Sequence, residues 1–202
     1  MTFSRHLIRT IAVISFLCAL PSASRGQTPT NTWADIATGA YSWSDATKWD
    51  VAPAIGGSNS AILQFNATGA NAYTANNDLA GTFVLNGLLL NSSSTGLTTI
   101  SGNQLEFQTD PVGPTLPVLN QNSSGAVTIS NALLLTNNLT LGGTGEGLVT
   151  LSGAITGAGT LTMNNSVGEV VLSNASNTYA GTTITAGRLA ATAVGARRHQ
   201  RG

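Results

Sequence analysis

The amino-acid sequence predicts an all-β protein in which short strands stack as a β-solenoid fragment behind an N-terminal signal peptide. Three observations support this fold class. The composition is rich in strand and turn formers, short alternating apolar segments recur at regular spacing, and an apolar run follows basic residues at the N-terminus. A β-sandwich is the alternative, since its short strands can have similar spacing.

The composition argues against helices and against disorder. Thr, Ser, Asn and Gly occur 28, 19, 18 and 23 times among 202 residues. Gly costs about 1 kcal/mol relative to Ala inside a helix, and Ser, Thr and Asn compete for the helix's backbone hydrogen bonds. The hydrophobic content of 42% is too high for a flexible linker. Strands joined by turns remain.

The N-terminus has the pattern of an export signal. Arg5, His6 and Arg9 precede an uncharged apolar run at residues 10–20, and small residues follow. Residues 1–26 are therefore predicted to be a signal peptide, with the mature chain starting near Gln27. A retained membrane anchor is the alternative. Cleavage would remove the only cysteine, Cys18, and leave a mature chain without disulfides.

The second half of the chain repeats a hydrophobic-polar-hydrophobic triplet, usually with Thr at its centre. Alternation along a strand places the two flanking side chains on one face and the central one on the other. Residues 120–190 are thus expected to be strands with almost no helix, their flanking residues pointing inward. The triplets are Val127-Thr128-Ile129, Leu139-Thr140-Leu141, Val149-Thr150-Leu151, Leu161-Thr162-Met163, Val170-Val171-Leu172 and Thr182-Thr183-Ile184.

Turn residues between the triplets favour a solenoid over a sandwich. The triplets start 12, 10, 12, 9 and 12 residues apart, and Gly or Asn clusters separate them. Asn side chains at such corners can form ladders between stacked coils. Residues 61–190 are accordingly assigned to the solenoid and residues 27–60 to an N-terminal Trp-rich cap.

Residues 157–189 resemble one copy of the autotransporter-associated β-strand repeat. The resemblance rests on GAGTLTM at residues 157–163 and VVLSNASNTYAGTTITAGRL at residues 170–189. It implies a right-handed parallel β-helix exported to the cell surface or beyond. Two features depart from such proteins. The chain contains nothing like a membrane-embedded translocation barrel or a terminal sorting anchor, and residues 191–202 are basic, which suggests a truncated or frame-shifted end.

Trp33, Trp43 and Trp49 are the candidate ligand-binding residues. Flat aromatic faces with polar rims suit neutral sugars, which would make this region a carbohydrate-binding module. The first coil of a solenoid also needs its apolar stripe and open edge covered, and aromatic side chains can serve that purpose. Capping is the favoured interpretation of the three tryptophans.

The distribution of charge limits the possible partners. Residues 27–190 hold eight acidic side chains and two basic ones, Lys48 and Arg188, so their formal charge is −6. No basic patch exists to neutralise phosphates, which excludes nucleic acid as a partner. Neutral glycans, matrix or like chains remain, and no integral membrane domain is expected after signal cleavage.

Catalysis is not expected. The two histidines, His6 and His199, lie in the predicted signal and in the basic tail, so the body lacks the commonest general base. The carboxylate pairs, Asp45 with Asp50 and Glu106 with Asp110, are interpreted as turn caps or as solvated surface groups. No cofactor or metal is predicted. The expected function is an exported, non-catalytic structural or adhesive module at the cell surface, and a secreted carbohydrate-binding module is the alternative.

Overall fold

The computed structural model describes residues 30–34, 37–93 and 95–192. The predicted signal peptide and residues 193–202 of the basic tail lie outside the described residues. Within the described ranges the chain is nearly all β, and its helical content is one short 3-10 turn, Ala46–Lys48. The all-β prediction is confirmed.

The strands fall into three columns, and the chain visits the columns in turn. The first column contains β1 (Thr30–Trp33), β3 (Ile62–Phe65), β6 (Gly87–Leu90), β9 (Val118–Gln121) and β12 (Leu139–Gly142). The second contains β2 (Gly39–Ser42), β4 (Tyr73–Asn77), β7 (Thr98–Gly102), β10 (Val127–Ile129) and β13 (Val149–Leu151). The third contains β5 (Phe83–Leu85), β8 (Leu105–Phe107), β11 (Leu133–Leu135) and β14 (Ile155–Thr156).

Two long strands complete the stack. Each of β15 (Thr160–Leu172) and β16 (Gly181–Ala191) runs through both the first and the second column. The first part of β15 pairs with β12 and its last part with β13. Because β15 joins the two columns, they form one curled sheet, whereas the third column is a separate four-stranded sheet.

All pairings between named strands in the described residues are parallel. Val127 pairs with Val149 and Leu133 with Ile155, so one passage through the three columns, a coil, takes 22 residues at these points. Parallel pairing between successive coils is compatible with a β-solenoid. The antiparallel sheets of a β-sandwich do not occur among these strands.

The apolar core runs along the inside of the stack. Val127, Ile129, Val149 and Leu151 are buried as predicted, while the central Thr128 and Thr150 are half-buried on the outer face. Ile184 differs from the prediction, because its side chain is 48% exposed. It lies in register with the buried Met163, but no described strand stacks beyond β16.

Asn side chains stabilise the corners in a different way from the predicted side-chain ladder. Asn131 donates from Nδ2 to the backbone oxygen of Asn103 at 2.8 Å, and Asn174 donates to that of Ser152 at 2.9 Å. A bond between two Asn side chains links Asn122 to Asn91. Most of these amides thus satisfy backbone carbonyls of the neighbouring coil, which lack a ladder partner at the corners.

Gly143 marks the corner after β12, and we expect Gly143→Ala to destabilise the fold by about 2–3 kcal/mol. Its φ is +107°, and a Cβ there would collide with the backbone oxygen of Gln121 in the preceding coil. Gly81→Ala is the matched control, because its φ is +81° with open space around the new Cβ. It should cost about 1 kcal/mol. Chemical denaturation measures both, and equal losses would contradict the collision.

Candidate functional site

The three predicted ligand-binding tryptophans form one aromatic cluster inside the first coils. The ring centroids of Trp33 and Trp49 are 4.8 Å apart in an edge-to-face arrangement, and those of Trp43 and Trp49 are 5.6 Å apart. Phe65 contacts all three rings, and Phe83 meets Trp43 edge-on at 5.4 Å. Such geometries are the favourable ones for aromatic pairs.

Burial of the cluster leaves no ring face open to a ligand. Trp33, Trp43 and Trp49 are 0%, 1% and 6% exposed. The indole Nε1 of Trp49 donates to the backbone oxygen of Trp43 at 3.0 Å. A sugar platform requires a solvent-facing ring, so this geometry gives no support to the carbohydrate-binding interpretation of these residues. It fits a packing role at the start of the stack.

Residues 48–50 cover the outer edge of the first strand. The N–H of Ala34 donates to the oxygen of Lys48 at 2.8 Å, and the N–H of Asp50 donates to the oxygen of Thr32 at 2.9 Å. Trp33 and Trp49 form an antiparallel bridge between these hydrogen bonds. Since open strand edges promote aggregation, this short return segment protects β1.

The Asp50 carboxylate completes the edge cover. Its Oδ1 accepts hydrogen bonds from the N–H of Thr32 and the N–H of Val51, both at 2.6 Å. Desolvation is the largest single influence and raises the pKa of Asp50, but the hydrogen bonds from Thr32 and Val51 together outweigh it. The pKa of Asp50 therefore lies below its usual value, and the folded state favours the ionised form.

We expect Asp50→Asn to lower the melting temperature at neutral pH and to behave like the parent in strong acid. A lowered folded-state pKa gives stability that is present above the unfolded value, about 3.9, and is lost as the pH falls through the folded value. Melting curves of parent and variant between pH 7 and pH 2 test this. Glu146→Gln, which changes an exposed carboxylate in another corner, is the control. A gap between parent and Asp50→Asn that is independent of pH would contradict the assignment.

The outward side of the second column presents a regular surface of uncharged side chains, here called the hydroxyl face. Parallel pairing without register shifts aligns its residues from β4 to β13. The face consists of three rows that run along the stack. They are Ala72, Leu97, Ala126 and Leu148; Thr74, Thr99, Thr128 and Thr150; and Asn76, Ser101, Ser130 and Ser152.

The two polar rows of the hydroxyl face differ in their hydrogen bonding. The hydroxyls of Ser130 and Ser152 donate to backbone oxygens of the preceding coil, those of Ile100 and Ile129, at 3.3 and 3.4 Å. Within the described part of the chain, the hydroxyls of the four Thr residues make no hydrogen bond to the protein. The Thr row is consequently free to bond to an external ligand.

The hydroxyl face carries no charge over its four coils. Glu169 and Arg188 continue the apolar row in β15 and β16, where Nε of Arg188 lies 3.4 Å from Oε1 of Glu169. This exposed pair largely neutralises itself and contributes little energy. Electrostatic capture of an ionic polymer is not a property of this surface.

Asp45 and Asp110 act as turn caps. Oδ1 of Asp45 accepts from the N–H of Thr47 at 3.0 Å at the start of the 3-10 turn, and Oδ1 of Asp110 accepts from the N–H of Val112 at 2.9 Å. Glu106 lies within β8 and accepts hydrogen bonds from the side chains of Gln108 and Thr136, so it is not a turn cap. The described ranges contain no group of three or more His, Cys, Asp or Glu side chains arranged to hold a metal ion.

The predicted triplets alone miss two features of the fold and of this surface. The third strand column is unpredicted, because in the later coils β11 is Leu-Leu-Leu with no polar centre and β14 is only Ile-Thr. The Ser row is missed as well, although a signal exists. The second column contributes TTIS at residues 98–101, VTIS at 127–130, VTLS at 149–152 and VVLS at 170–173, each with Ser after the inward residue.

The fold and the surface define a class, an all-β protein whose parallel coils display a neutral, hydroxyl-rich face. Comparisons of the chain with protein families, with curated proteins and with solved structures find no match. The resemblance of residues 157–189 to the autotransporter-associated repeat therefore stays a prediction. No helix in the part of the chain that the structure describes is long and apolar enough to cross a membrane.

Proposed function

We propose that the chain is an exported, non-catalytic β-solenoid module with a structural or adhesive role at the cell surface. A right-handed winding and export through residues 1–26 belong to this proposal. The observation that carries it is the hydroxyl face, an uncharged and regular array on a stiff stack of coils. Such a face suits a repeating neutral partner, such as a glycan, matrix or a like chain.

Repetition supplies the affinity that a single shallow contact lacks. Each coil offers only one or two hydroxyls and one apolar side chain, so one coil binds weakly. A partner that contacts several coils at once gains through effective concentration without any deep pocket. Because the face is neutral, screening by salt removes little of this binding energy.

Adsorption to insoluble neutral polysaccharides at low and at high salt tests the adhesive role. We expect the full chain to adsorb equally at about 0.05 and about 0.5 M salt, since the Debye length changes but the face has no charge to screen. Binding lost at high salt would contradict a neutral contact surface. Failure to adsorb to any neutral solid, or to self-associate, would overturn the adhesive role.

The export part of the proposal has a separate test. Mass spectrometry of protein recovered outside the producing cell should find an N-terminus near Gln27. The reason is the basic segment followed by the apolar run at residues 10–20. Exported material that retains Met1 would contradict cleavage.

A further inference from the structure

The hydroxyl face is a two-dimensional grid. Adjacent strands of a sheet lie about 4.8 Å apart, and residues two apart along a strand lie about 6.6 Å apart. Thr99 pairs with Thr128, and Thr128 with Thr150, so the Thr row repeats at the first spacing. The Ser row lies two residues along the strands, at the second spacing. The oxygen atoms of ice lie on grids with repeat distances of similar size.

The grid is pre-ordered before any ligand arrives. Thr is branched at Cβ, which restricts its χ1 angle, and the strands below it are anchored by the buried Ile100, Ile129 and Leu151. Each Thr presents a methyl group and a hydroxyl, and the hydroxyl both donates and accepts. Little side-chain entropy is lost when water molecules bond to such a row, so weak individual contacts add up.

The chemistry of the face selects among repeating neutral ligands. Sugar sites combine apolar or aromatic surfaces with a few precisely placed polar groups. The rows of the hydroxyl face from β7 to β13 contain no aromatic ring, amide or charged group, only hydroxyl, methyl and aliphatic side chains. A surface of methyl groups beside evenly spaced hydroxyls suits a lattice of water molecules better than it suits a chain of sugar rings.

We propose that the hydroxyl face binds the surface of ice, with the Thr row contacting ordered water of the lattice. This inference rests on the proposed function, because it assigns a ligand to the same adhesive surface. The surface of ice repeats a similar spacing in both directions, so all four Thr residues of the face engage at once. Binding of this kind halts crystal growth wherever the protein adsorbs.

Ice-recrystallisation inhibition and thermal hysteresis of the full chain test the proposal. We expect the parent to restrain ice growth and Thr128→Tyr to lose most of that effect, because the ring breaks the flat grid. Thr156→Tyr is the matched control, since Thr156 is an outward, half-buried residue of the third column. Tyr suits strands, and circular dichroism should show all three proteins folded.

The possible outcomes separate the inference from the proposed function. A parent without effect on ice, or a Thr128→Tyr variant as active as the parent, would overturn ice binding. Adsorption to cellulose or chitin that Thr128→Tyr abolishes, without any effect on ice, would overturn ice binding and support the general adhesive role. A folded parent that binds neither ice nor polysaccharide and does not self-associate would overturn both.

Discussion

Leu161→Asp is expected to unfold most of the chain at room temperature. Leu161 is fully buried in β15 and lies in register with Leu139 in the coil before it and Thr182 in the coil after it. Loss of a buried leucine costs about 2–5 kcal/mol, and an unpaired carboxylate in the same place adds desolvation. The total of about 5 kcal/mol rivals the whole stability of many domains.

Urea denaturation followed by circular dichroism measures this loss. Thr162→Asp is the control, because Thr162 is the next residue along β15 and its side chain is half-buried on the outer face. It should cost about 1 kcal/mol or less, as most surface substitutions do. A Leu161→Asp variant that unfolds at the same urea concentration as the parent would contradict the inward orientation of the triplet's flanking residues.

Trp43→Ala is expected to destabilise the protein by about 4 kcal/mol, the range for removal of a large buried aromatic side chain. Trp43 contacts Trp49, Phe65 and Phe83 with ring centroids within 6 Å. Its loss leaves a cavity between the first coils, and the return segment at residues 48–50 depends on the same cluster. The open edge of β1 would then become accessible, so aggregation on warming should increase as well.

Tyr41→Ala is the control for this variant. Tyr41 precedes Trp43 by two residues, but its ring is half-buried and lies beneath the ammonium group of Lys48 at 4.2 Å. Its removal should cost clearly less in thermal denaturation. If Trp43→Ala left the stability unchanged and instead abolished binding to one glycan, the packing role would be refuted and the carbohydrate-binding alternative favoured.

Adjacent spacings of the predicted triplets sum to the length of a coil. The steps from Val127 to Leu139 and from Leu139 to Val149 add up to the 22-residue register that pairs β10 with β13. Two strands per coil were thus readable from the sequence, since strands that must bury one face have to alternate. The third column was not readable, because β11 is three leucines without a polar central residue and β14 has only two residues, so neither shows alternation.

The first half of the chain is harder to interpret for a related reason. Val118 pairs with Gly87 across 31 positions, whereas Gly87 pairs with Ile62 across 25, so the coil length varies. Loops of different length absorb the difference without disturbing the parallel register. A search for constant spacing fails in such a region even though the strand columns continue through it.

The sequence by itself determined the all-β class, the inward and outward sides of the later strands, and the absence of a basic surface in residues 49–187. These properties follow from local alternation, turn chemistry and charge, which do not depend on distant residues. Tertiary structure decided which strands are neighbours. Only that pairing aligns Thr99, Thr128 and Thr150 into a row and packs the three tryptophans against Phe65 and Phe83. Both depend on contacts between residues at least 16 positions apart.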